Sequence, residues 1–140
     1  VMATADVVVN GEDALPAEEV GRVVSHVLEI EQRTATISVT FLSADEMQDL
    51  NRDHKGHDRP TDVISFALPQ PDGSLAGDIY ICPAVALQEA AERGIPESEE
   101  LVRLVVHGTL HVLGMDHPEG EEREHSEMWR RQEQYVAGLR

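Results

Sequence analysis

The chain has 140 residues, with 27 Asp and Glu against 11 Lys and Arg, for a formal net charge of −16. That length fits a single domain spanning 1–140 and can bury a core without disulfide staples. The lone cysteine, Cys82, excludes an internal disulfide, and a field of this sign excludes any polyanionic partner that does not meet a local cationic surface.

The N-terminal stretch VMATADVVVN lacks the basic and long apolar regions of a secretory leader. No run approaches the ~20 apolar residues of a membrane span. A soluble, cytoplasmic protein is expected.

In chain order, Asp6 to Asn10 reads as a short strand. Pro16 opens a helix with Glu18 and Glu19 in its first turn, where the dipole favours acids. Val20, Val23, Val24, Val27 and Leu28 give that helix one apolar stripe, with His26 off it. Thr36 to Leu42 alternates, with Ile37, Val39 and Phe41 on one side, as in a half-buried strand. Ser43 begins a capping box with Glu46, and the short helix that follows is expected to end near Arg52. NRDHKGHDRP then reads as a loop broken by Gly56 and Pro60.

VISFAL, 63–68, is an almost unbroken apolar run, the signature of a central strand. After the turn-forming PQPDGS, GDIYIC, 77–82, makes the second arm of an antiparallel hairpin. Pro83 to Arg93 is a helix stopped by Gly94. The next helix, 98–113, carries Leu101, Val102, Leu104, Val105, Val106, Leu110, Val112 and Leu113, so many apolar positions that no polar face is expected and burial on all sides is. Gly114 stands where a left-handed residue would end it. A last, charged helix is expected over about 120–138, with Met128, Trp129, Tyr135 and Val136 turned to the core. The predicted architecture is α+β: one small mixed sheet of about four strands with about five helices, one of them central and buried.

That central helix carries the chemistry. In HGTLHVLGMDH, His107 and His111 are four residues apart and share one helix face. Gly114 lets the chain turn back so that His117 reaches the same point. Three neutral imidazoles, two from a rigid helix and one from a turn, suit one Zn2+ per chain with a fourth position open. The pattern resembles the metzincin protease motif, but that motif's general-base glutamate is replaced here by Gly108, which disfavours peptide hydrolysis by that route. Asp116 reads either as a carboxylate orienting the metal site or as a turn residue bonded to its own backbone. Arg52, Lys55 and Arg59 concentrate cations between residues 52 and 59, either to contact phosphates or to offset Asp53 and Asp58.

Together, LNRDHKGHDRPTDVISF, GDIYIC and HGTLHVLGMDH resemble the YbeY family of single-domain, metal-dependent endoribonucleases, over about residues 38–118. The resemblance implies zinc on His107, His111 and His117. It implies single-stranded RNA as substrate, maturation of the 16S rRNA 3′ end with ribosome quality control as the role, and the small ribosomal subunit as partner, with no DNA and no membrane. It turns the 52–59 cations toward RNA contact. Where the family carries an arginine before the loop glycine this chain has Lys55, which keeps the charge and loses the two-pronged donor. Lys55 and Asp116 are the candidate catalytic residues; the base is open between Asp116, a hydroxide formed at the metal and the RNA 2′-hydroxyl as nucleophile. A zinc-stabilised RNA- or ribosome-binding assembly factor with little catalysis, and a metal-dependent hydrolase of another substrate, are the alternatives.

Overall fold

A computed structural model describes residues 5–11, 14–118 and 120–139; residues 1–4, the start of the N-terminal stretch VMATADVVVN, lie outside them. The order is β1 (Ala5–Gly11), α1 (Ala17–Glu31), β2 (Ala35–Phe41), α2 (Ala44–Lys55), β3 (Val63–Pro69), β4 (Leu75–Ile81), α3 (Pro83–Arg93), α4 (Glu97–Val112), a 3-10 turn (Gly120–His125) and α5 (Glu127–Leu139). The strands form one four-stranded mixed sheet in the order β1-β2-β4-β3. β1 and β4 both run parallel to β2, and β3 returns antiparallel to β4. The expected α+β class and the 63–68/77–82 hairpin are what the chain builds.

The valine stripe of α1 and the inward side of β2 (Ile37, Val39, Phe41) are fully buried, as their periodicities require. They share one core with Ile79 and Ile81 of β4 and with Leu101, Val105, Val106 and Leu110 of α4. α4 approaches β4 closely. A side chain at Gly108 would sit 2.6 Å from Ile79 Cγ2, and one at Gly77 would sit 2.4 Å from Val112 Cγ2. The glycine that removes the protease base is thus also the one that lets the helix lie on the sheet.

Four expectations need correction. β3 is an edge strand, not a central one. Only its first half is covered, on both sides: Ile64 and Phe66 join Met47, Cys82 and Tyr80 in a second small cluster and Val63 packs against the main core, while Ala67, Leu68 and Pro69 stay exposed. α2 runs three residues past Arg52, so His54 and Lys55 belong to a helix rather than to the loop. Gly56, at φ 75°, ends it and returns its N–H to the Arg52 carbonyl. The Ser43–Glu46 capping box opens α2 as expected, with both reciprocal bonds made. The C-terminal helix is broken: a 3-10 turn precedes α5, and Ser126 starts the helix by accepting the Trp129 N–H at 3.1 Å. Finally, α4 does have a polar stripe, Glu100, Arg103, His107 and His111, and it faces a cleft.

Candidate metal centre and cleft

The end of α4 is shaped by Gly114, at φ 98°. Its N–H donates to the His111 carbonyl, and the Met115 N–H donates to the Leu110 carbonyl. These two bonds close the helix and reverse the chain within a residue. His117 is thereby carried back over the helix end. Its ring centre lies 5.0 Å from those of His107 and His111, which are 4.6 Å apart.

One ring nitrogen from each histidine lies within 4.8 Å of the other two, the only such cluster of potential metal ligands among the described residues. The remaining nitrogens show which atoms these are. His107 Nδ1–H donates to Gln132 Oε1 at 2.7 Å, His111 Nδ1–H to the Met115 carbonyl at 3.0 Å, and His117 Nδ1–H to the Pro118 carbonyl at 2.9 Å. An acceptor on every Nδ1 fixes the tautomer with its proton there and leaves each Nε2 lone pair free. Burial pushes the His107 imidazole down to about 4, and His111 is lowered for the same reason, so both rings are neutral at pH 7. Three pre-oriented imidazole nitrogens fit a zinc-like ion with a fourth position open.

Gln132 does not act alone. Its amide N–H donates to Glu133 at 2.9 Å, and the Glu133 carboxylate is gripped by the Arg103 guanidinium at 2.8 and 2.9 Å. A polar chain therefore runs from the buried Arg103 through Glu133 and Gln132 to His107.

The histidines open into a cleft of about 890 Å³ between α4, β3, α5 and the residue 55–62 segment. A family model described as Endoribonuclease YbeY matches residues 8–140. This chain belongs to the YbeY family. It is 48% identical over 99 residues to an endoribonuclease YbeY of Chromohalobacter salexigens, covering 69% of this chain and 64% of that relative. It is 38% identical over 125 residues to that of Halorhodospira halophila, covering 85% and 81%. A solution structure from Thermotoga maritima superposes with a TM-score of 0.64 at 31% identity, covering 95% of this chain and 88% of the other.

The other YbeY-like positions distribute unevenly around the cleft. Lys55 and Arg59 line it, both exposed and without an ion-pair partner among the described residues. Arg52 does not line it: it is tied to Asp49, Asp53 and Asp58 at 3.2, 3.2 and 3.8 Å. Asp116 lines the cleft, but its carboxylate accepts the His117 backbone N–H at 2.9 Å rather than an imidazole proton. Sequence reasoning missed Gln132, Trp129, Arg123 and the carboxyl pair Asp62 and Glu89, all on the cleft wall. Burial and the neighbouring Asp62 carboxylate push Glu89 up to about 8, so it carries a proton at pH 7. No local pattern marks any of these residues. Trp129 reads from helical spacing as core, yet its indole is half-buried on the cleft wall.

Proposed function

We propose that this chain is a metal-dependent endoribonuclease that cuts single-stranded RNA. The observation that carries the reading is the set of three imidazoles whose Nδ1 atoms are all committed to acceptors, so that three Nε2 lone pairs meet in a cleft edged by unpaired cations. His107, His111 and His117 would hold one zinc ion. When bound, it supplies Lewis-acid polarisation of a phosphoryl oxygen. The protein's own share is positional. Gln132, Met115 and Pro118 keep the three rings aimed. Lys55 and Arg59 draw the RNA backbone out of an otherwise repulsive field and offset charge growing on the phosphate. Arg52, neutralised by three aspartates, contributes less. The names of the curated relatives support the same activity. The finer role follows the family: maturation of the 16S rRNA 3′ end and ribosome quality control, on the small subunit, in the cytoplasm.

The test is cleavage of a short single-stranded RNA by protein with measured metal content. We expect about one zinc per chain, cleavage that stops on chelation and with His111→Ala, and no cutting of duplex RNA. Lys55→Ala should flatten the log-salt slope of RNA binding by about 0.7, and Lys55→Arg should keep it. RNA bound with zinc present but never cut would favour the assembly-factor reading; no RNA binding would overturn both.

A further inference from the structure

Trp129 is the only tryptophan of the chain, and it lies on the same cleft wall as the histidines. Its backbone is anchored at the first turn of α5, where the Ser126 hydroxyl accepts the Trp129 backbone N–H. The guanidinium carbons of Arg93 and Arg123 stand 5.9 and 5.7 Å from the centre of its ring. The two arginines differ. Arg93 is held by the buried Glu100 at 3.4 Å. Arg123, on the 3-10 turn, has no ion-pair partner among the described residues, and it too lines the cleft. In a chain of net charge −16, a half-buried indole flanked by an uncompensated guanidinium is out of place as ordinary surface. It has the composition of a stacking platform: an indole π-face that a base can share with the guanidinium groups over it, and a cation without an ion-pair partner among the described residues for the neighbouring phosphate.

We infer that Trp129, with Arg123, forms a base-stacking subsite that holds one unpaired nucleobase of the RNA strand in the cleft beside the three-histidine centre. The inference rests on the endoribonuclease reading and deepens it, because it gives the cleft a physical reason to prefer single strands. A base can lie on an indole only when it is free of its own helical stack, so duplex RNA is excluded from this wall. The contact uses the π-face that every base has, so the subsite selects strandedness and not sequence. Arg123 supplies the neighbouring phosphate contact, and Lys55 and Arg59 supply those near the loop.

The single indole makes the test direct. Metal-loaded protein is mixed in a stopped-flow instrument with a short single-stranded RNA, and tryptophan emission is read before any turnover. An abasic ribose-phosphate strand of equal length and a duplex serve as the other two probes. Binding is followed in parallel by the anisotropy of a labelled strand. Single-stranded RNA should quench the emission strongly, and the abasic strand should bind without quenching. Trp129→Leu should weaken RNA binding about ten-fold, as for the loss of one stacked base, and leave abasic binding unchanged. Trp129→Phe, which keeps a π-face, should retain most of the affinity. Metal content and thermal melting of both variants report whether the fold is kept, and the wild-type quenching result stands without either variant. Full RNA binding with unchanged emission, or equal quenching by the abasic strand, overturns the subsite and leaves the nuclease reading intact. Absence of any RNA binding overturns both.

Discussion

Two sides of α4 carry similar burial and solve it differently. Toward the sheet and α1, Leu101, Val105, Val106 and Leu110 are at most 1% exposed and need nothing but close packing. Toward the cleft, Glu100 is 1% and Arg103 6% exposed, with His107 half-buried beyond them. These groups are tolerable only because each has a partner: Arg103 joins Glu99, Glu100 and Glu133, Arg93 joins Glu100, and Gln132 takes the His107 proton. The apolar side is cheap and forgiving of order. The polar side stands or falls as a network, because removing one member strands the others. The helix is held rigidly by the first side so that the second can aim two metal ligands.

Breaking the polar side at its buried cation should have the largest effect. Arg103→Leu leaves Glu133 unpaired and Glu100 with Arg93 alone, and should cost about 3–5 kcal/mol in denaturant unfolding. It should also loosen Gln132 and so weaken metal binding. An unchanged midpoint would mean that the network contributes nothing.

Breaking the apolar side should cost less. Gly108→Ala drives a methyl to 2.6 Å from Ile79 Cγ2 and must move α4 off β4. A loss of about 1–3 kcal/mol is expected by the same measurement. The helix shift should also reach His107, its chain neighbour, as a drop in metal affinity.

Gln132→Leu separates the two functions of the polar side. The volume is kept while the acceptor for His107 Nδ1–H is lost. Metal affinity, read by competition with a chromogenic chelator, should fall about 10- to 100-fold, with a much smaller change in the melting temperature of the metal-free protein. Equal loss of both would make Gln132 a packing residue.

The last effect is a pH dependence from the Asp62–Glu89 carboxyl pair on the cleft wall. Glu89 is raised to about 8 by burial and Asp62, from an ordinary value of 4.5. Between those values the folded chain holds a proton that the unfolded chain has released, so stability falls as pH rises from about 4.5 to 8 and then levels. Glu89→Gln should flatten that part of the melting-temperature profile. A profile of unchanged slope would remove Glu89 as its source.

What the sequence determined by itself is whatever local geometry dictates. The α1 stripe, the alternation of β2, the Ser43–Glu46 box and the glycine stop of α3 all depend on residues within a turn or two of one another. The metal ligands were legible for the same reason, since His107, His111 and His117 are placed by one helix, one left-handed glycine and one short return. The tertiary structure decided what depends on distant chain. Gln132 lies 25 residues from the histidine it orients. The polar stripe of α4 was hidden because Glu100 and Arg103 look like exposed charges until α3 and α5 pack over them. The edge position of β3 was hidden because an apolar run such as VISFAL does not say which strands lie beside it; only its first half turned out to be covered. Trp129 read as core because helical spacing fixes which face a residue occupies, while only packing decides whether that face meets protein or an open cleft.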